Sequence, residues 1–189
     1  MITVLIVGKG NVGTHLYNAF SAVDKISVQQ ISSRNLDNID NADVTIIAVS
    51  DNAILDVSSK INNDFVVHTS GSFESKTLEI ATKRWGCIYP LQTIKKSKNI
   101  KWEETPFYIE ASNSKDENLL KDFCVSNKLN FTNYNSSKRK KLHLAAVFAC
   151  NFTNHMYSIA EDLCLKNNVN FNILIEFTEI QLKGVLGFW

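Results

Sequence analysis

Thr3-Val4-Leu5-Ile6-Val7-Gly8-Lys9-Gly10-Asn11-Val12-Gly13-Thr14-His15-Leu16 decides the fold. Its first five residues form an apolar, β-branched run that reads as a buried strand. Gly8, Gly10 and Gly13 then follow at GxGxxG spacing, and Val12, Leu16, Ala19, Phe20 and Val23 recur at helical spacing after them. Each glycine has a physical use when a strand turns directly into a helix: Gly8 for the tight turn, Gly10 for close approach of a pyrophosphate, Gly13 for helix-to-strand packing. The unpaired N–H groups and the positive dipole end of that helix favour an anion at the turn. Gly8, Gly10, Asn11, Val12 and Gly13 are therefore expected to hold a dinucleotide diphosphate.

Working outward, further short strands are expected at Ile26–Ile31, Val44–Val49, Phe65–His68, Gly86–Tyr89, Phe107–Glu110 and Asn130–Asn133, with a second amphipathic helix over Asp116 to Lys128. Strands alternating with helical patterns build a parallel sheet covered on both faces. The fold expected is thus α/β, a Rossmann-type doubly wound, mainly parallel sheet over residues 1–135, followed by a small all-helical region over residues 136–189. That region is expected as one long helical segment from Ser136 to about Asn167 and another from Asn172 towards Leu186. Leu144 to Cys150 is apolar on every side, so this helix is expected to be buried in something larger. About fifty residues rarely supply a self-sufficient core. Either a second copy completes it, as a homodimer through the helical region, or the chain, ending at Gly187-Phe188-Trp189, is a shortened form of a longer polypeptide.

The whole composition fits this plan and narrows the function. Of 189 residues, 44% are hydrophobic and 21% charged, a balance that excludes disordered, collagenous and coiled-coil chains. Twenty Lys+Arg against 19 Asp+Glu leave a net charge of +1, which gives no long-range field for nucleic acid or anionic membrane. The opening apolar run lacks a basic flank, and no stretch approaches the roughly 18 apolar residues of a membrane span. Cys87, Cys124, Cys150 and Cys164 show neither a CxxC pair nor zinc-ligand spacing, as expected of reduced thiols in a cytoplasm. GxSxG, HExxH and P-loop patterns are absent, so neither a serine hydrolase nor a metal site is expected. The basic run Lys138-Arg139-Lys140-Lys141 reads as a solvated helix entrance.

Cofactor choice turns on the end of the second strand. An NAD site usually places Asp or Glu about 20 residues beyond the glycines, to hold the ribose 2′-hydroxyl. Here stand Ser32-Ser33-Arg34-Asn35, and no carboxylate comes before Asp37. A guanidinium with two hydroxyls suits a 2′-phosphate, so NADP is expected rather than NAD.

Ligands of open α/β sheets lie beyond the carboxyl ends of the strands. Val49, Ser50 and Asp51 after the third strand, and Ser70 and Gly71 after the fourth, are expected beside the cofactor; turn and cap chemistry is the alternative for each. Reduction of a carbonyl or imine also needs a proton, and imidazole titrates in the useful range. His143 is the first candidate and His68 the second. At 100° per residue His143, Val147, Asn151 and Asn154 fall within an arc of about 80°, placing Asn151 and Asn154 on the same wall as His143. Bonding among these groups, or across a dimer interface, is the alternative.

The stretches VLIVGKGNVGTHL, ISSRN, ADVTIIAVSDNAI, VVHTSGS, GCIYPLQT and HLAAVFACNFTNHMY, in this order, resemble the Rossmann-like proteins assigned as NADP oxidoreductases that carry a helical C-terminal domain of unknown function. That family is similar to pyrroline-5-carboxylate reductases, prephenate dehydrogenases and β-hydroxyacid dehydrogenases. The resemblance implies NADP binding, redox chemistry on a small-molecule substrate, and a helical domain that dimerises. It also implies that β-hydroxyacid dehydrogenase chemistry is not retained, because Val147 stands where those enzymes place a lysine one turn before Asn151. The remaining functional alternative is a non-catalytic NADP(H)-binding dimerisation or sensor module.

Overall fold

A computed structural model of the chain describes residues 1–36, 39–94 and 99–178. Asp37, the first carboxylate after the second strand, and the end of the chain beyond residue 178 lie outside these. The chain divides into two compact units, Met1–His143 and Leu144–Trp189.

The first unit is built on seven strands: β1 (Ile2–Val7), β2 (Ile26–Ile31), β3 (Val44–Ile47), β4 (Phe65–His68), β5 (Arg84–Pro90), β6 (Pro106–Ala111) and β7 (Asn130–Asn133). They form one sheet in the order β2-β1-β3-β4-β5-β6-β7, parallel throughout except for the β5–β6 pair. Side chains alternate between faces along each strand. On β1, Val4 and Ile6 join Leu16 and Phe20 of α1 (Asn11–Phe20) and Leu120 and Phe123 of the helix Ser114–Ser126, while Leu5 and Val7 join Ile54, Val57 and Leu78 on the other face. Both faces are thereby covered, and β3 is buried at all four residues, as befits a central strand of a parallel sheet.

The second face is covered by segments that sequence periodicity does not reveal. A 3₁₀ turn at Asp51–Ala53 runs into the short helix α2 (Ile54–Ser58), and Ser75–Ile80 forms a 3₁₀ helix. The helix Ser114–Ser126 is α3. Its N-cap Asn113 accepts a hydrogen bond from the Asp116 N–H (3.0 Å), and Arg84 clamps the buried Asp116 carboxylate with Nε at 3.0 Å and Nη2 at 2.6 Å from Oδ1.

From Ser136 the backbone is helical to Lys166: α4 (Ser136–Ala146), a π-helical stretch at Val147–Phe152, and α5 (Thr153–Lys166). Residues 172–178 are helical again. The π turn replaces i→i+4 with i→i+5 bonding, so a constant 100° per residue does not run through Val147–Asn151, and the calculated arc does not carry past it. Leu144, Phe148, Phe152, Met156 and Leu163 of the second unit are each at least half exposed. Among the described residues, no helix is long and apolar enough to cross a membrane.

Candidate functional site

The strand order reverses between β1 and β3, and the carboxyl ends of these two strands open a cavity of about 480 Å³. Residues 8–12 line it together with residues 48–50, Ala53, Ser33 and Ile94. The glycines are distinct in space. Gly8 has φ +127°, and a Cβ there would lie 2.2 Å from the Ala48 carbonyl oxygen; one on Gly13 would lie 2.2 Å from the Gly8 oxygen. A Cβ on Gly10 would meet nothing within 4 Å, so the room it leaves lies outside the chain. Gln30 Nε2 donates to the Gly8 carbonyl (2.8 Å) and fixes the turn to the end of β2.

Helix α1 begins at Gly10 with no side-chain cap and no acidic residue in its first turn. Its leading amides therefore point at the cavity without an internal anion. Such an end fits a diphosphate: unsatisfied N–H donors, a positive dipole end and no side chain in the way. At the end of β2, Ser32 Oγ accepts from the Arg34 N–H (3.3 Å), which shapes the turn, while the exposed Arg34 guanidinium makes no ion pair among the described residues. Lys9, which sequence reasoning did not select, shares the cavity wall with Ser33; its signal was its place inside the glycine motif.

Beyond β3 and β4 the expected residues are linked to one another. Asp51, exposed at the start of the 3₁₀ turn, accepts a hydrogen bond from Ser72 Oγ. Ser70 Oγ accepts the N–H groups of Ser72 (3.1 Å) and Phe73 (3.0 Å), folding residues 70–73 into a tight turn. Gly71 sits at its tip. A Cβ there would lie 2.5 Å from His143 Nδ1 and 2.8 Å from Tyr89 Cζ, so only glycine lets these two rings close over the loop. Tyr89 Oη and His143 Nδ1 are 2.9 Å apart. Burial pushes the Tyr89 phenol up to about 12, which keeps its proton in place. Tyr89 stands at the carboxyl end of β5, where the strand-end rule places ligand-facing residues.

His68 is placed differently. It is fully buried, its Nδ1 accepts from the Ser70 N–H (3.1 Å), and Nε2 therefore carries the hydrogen directed at Ser75 Oγ (2.9 Å). Desolvation first, and the charge of Arg139 second, hold its pKa well below the usual imidazole range. Both nitrogens are engaged within the protein. The same cluster corrects the reading of the basic run: Arg139 is not solvated but fully buried, with Nη1 2.6 Å from Glu110 Oε2 and Nη2 2.7 Å from the Phe73 carbonyl. Lys140, in the same run, pairs with Glu74 at 2.8 Å.

His143 closes the first unit, whereas Asn151 and Asn154 belong to the second, where both are exposed. All four cysteines are free thiols; burial pushes Cys87 and Cys124 up to about 12. Among the described residues no group of three or more His, Cys, Asp or Glu could hold a metal ion.

A doubly wound sheet whose order reverses at a glycine turn opening a helix defines the Rossmann-type fold of dinucleotide-dependent oxidoreductases. Comparison with known proteins agrees. Residues 105–187 match the domain described as "Domain of unknown function (DUF2520)". The structure resembles a Bacteroides fragilis protein named "putative NADP oxidoreductase", with a TM-score of 0.80, 28% identity, and coverage of 97% of this chain and 80% of that one. It also resembles Plasmodium falciparum pyrroline carboxylate reductase with NADP bound (TM-score 0.64, 12% identity, 98% and 78% coverage) and prephenate dehydrogenase from A. aeolicus (0.65, 14%, 97% and 89%), which at these identities shows a shared fold. No curated protein matches the chain. The resemblance drawn from sequence stands: a Rossmann-type sheet is followed by a helical region, and the match to DUF2520 runs from β6 into that region.

Proposed function

We propose that the chain is an NADP(H)-dependent oxidoreductase moving hydride between nicotinamide and a small polar carbonyl, imine or hydroxy-acid metabolite. The cavity at the β1/β3 switch point carries this reading, because it combines the uncapped amides of α1, the open side of Gly10, and Ser33, Val49 and Ser50 in its lining. A bound dinucleotide supplies the hydride. The α1 amides neutralise its diphosphate, and Ser32, Ser33 and Arg34 hold the 2′-phosphate through charge-assisted bonds. His143 manages the proton: its Nδ1 is bonded to the Tyr89 hydroxyl, which leaves Nε2 as the ring nitrogen turned away from this bond. His68, with both nitrogens bonded inside the protein, shapes the 70–73 turn rather than delivering a proton. The exposed apolar helix of the second unit supports assembly as a homodimer.

Nicotinamide fluorescence titration tests the cofactor. NADPH is expected to bind more tightly than NADH, and Arg34→Ala to weaken NADPH by about tenfold, the lower range for a lost charge-assisted bond at an exposed site. Equal affinity for the two dinucleotides in the parent overturns the NADP assignment. Loss of nicotinamide absorbance with a panel of ketones, imines and 2-oxo acids then separates an enzyme from a module that binds without turnover.

A further inference from the structure

The clearest feature outside the cofactor cavity is the buried polar cluster around Glu110. Its carboxylate, on β6, gathers donors from two other elements. From α4 come the Ser136 N–H to Oε1 (3.0 Å), Ser136 Oγ to Oε2 (2.7 Å) and Arg139 Nη1 to Oε2 (2.6 Å). From the 3₁₀ helix comes Ser75 Oγ to Oε2 (2.7 Å). Arg139 reaches the other way as well, donating through Nη2 to the Phe73 carbonyl (2.7 Å) and Ser75 Oγ (3.1 Å). One guanidinium thus ties together β6, the first turns of α4, and the end of the 69–75 segment that contains Gly71.

Ser136, Arg139 and His143 recur at three and four residues along α4 and so share one face. The first two rungs are locked to Glu110 and Phe73. The third is the imidazole that lies over Gly71 and meets Tyr89. An ion pair this buried contributes less to stability than a well-packed apolar replacement often does, and fixing one geometry is the role it fills best. A charged fork resists rotation of α4 about its axis in a way that apolar packing does not.

We infer that Arg139, held by Glu110, is the positioning residue that sets His143 over Gly71 and against Tyr89. The functional meaning of this geometry rests on the oxidoreductase reading; the geometry does not. Arg139 fixes the azimuth of α4 and the height of the 70–73 turn together, so its loss releases both sides of the His143 contact at once.

Nuclear magnetic resonance on the full chain tests this, with thermal unfolding and NADPH titration run on the same samples. In the parent, cross-relaxation is expected between His143 ring protons and the Gly71 α-protons, with a His143 Nδ1 nitrogen shift typical of a hydrogen-bonded ring. In Arg139→Gln both signatures are expected to be lost while the protein remains folded and NADPH affinity is unchanged; Arg139→Lys, which restores the charge facing Glu110, brings them partly back. Should Arg139→Gln fail to fold, Ser136→Ala, which removes one Glu110 donor, is expected to weaken the same cross-peaks. A merely structural role lowers the melting temperature and leaves the signatures in place. Retention of the parent cross-peaks in every folded variant, or their absence in the parent, overturns the inference. Failure of the parent to bind NADPH removes the functional reading instead and leaves the cross-peak result intact.

Discussion

Gly71 and His68 stand within three residues of each other, and each makes a different demand. An added methyl at Gly71 has no room, since it would approach His143 and Tyr89 below any normal contact. Gly71→Ala is expected to destabilise the chain by about 1–3 kcal/mol, the usual cost of overpacking, as measured by urea unfolding; an unchanged midpoint would show that the rings do not close over the loop. His68 instead links stability to pH. Its folded pKa lies well below 6.5 because the charged ring is desolvated, so the unfolded state binds a proton first as pH falls. Stability is therefore full above about pH 6.5 and declines as pH drops toward the folded pKa, with a slope of up to about 1.4 kcal/mol per pH unit. Denaturant titrations at several pH values should show this slope in the parent and a shallower one in His68→Asn. From sequence, His68 reads as an imidazole at a strand end, facing a ligand. Its inward direction depends on Ser70 and Ser75 being folded around it, which no local pattern encodes.

At the scale of elements, the strands were legible and some of the helices were not. All seven strands announce themselves through short β-branched or aromatic stretches, and the structure places each within a few residues of its expected bounds. Asp51–Ser58 and Ser75–Ile80 escaped because each is too short to show a helical period. The opening of α4 was misread for a different reason. A basic run at a helix start opposes the dipole, and what resolves the conflict is Glu110, 29 residues upstream of Arg139 in the chain, whose carboxylate accepts the Ser136 N–H. Helix α3 shows the local rule working unaided. Asn113 caps it by accepting from Asp116 N–H, and its Nδ2 also donates to the Asp116 carboxylate (2.6 Å) that Arg84 clamps. Asn113→Ala is expected to cost about 0.5–2 kcal/mol, read from the shift in thermal or denaturant midpoint. A result near zero would mean that the Arg84 clamp alone sets the start of α3.

For the molecule as a whole, the unresolved demand is the apolar surface of the helical unit. Met156, Ile159 and Leu163 recur at three and four residues on α5 as an exposed apolar stripe, and Leu144, Phe148 and Phe152 before them are exposed as well. Phe148 and Phe152 stack at 5.2 Å, yet remain 62% and 50% exposed. Scattered apolar residues on a surface need no explanation, but a continuous stripe on one helix does, because it forgoes about 25 cal/mol for each Å² left in water. A second copy presenting the same stripe is the simplest cover, since a two-fold contact needs only one self-complementary face. Light scattering is therefore expected to return twice the chain mass. Phe148→Glu places a charge on this exposed apolar surface, where loss of a central aromatic typically costs at least about 2 kcal/mol. The dimer dissociation constant should rise by about thirtyfold or more, while NADPH binding by the glycine turn of the first unit is unaffected. A monomeric parent at micromolar concentration would leave the stripe to another partner and remove the homodimer from the proposal.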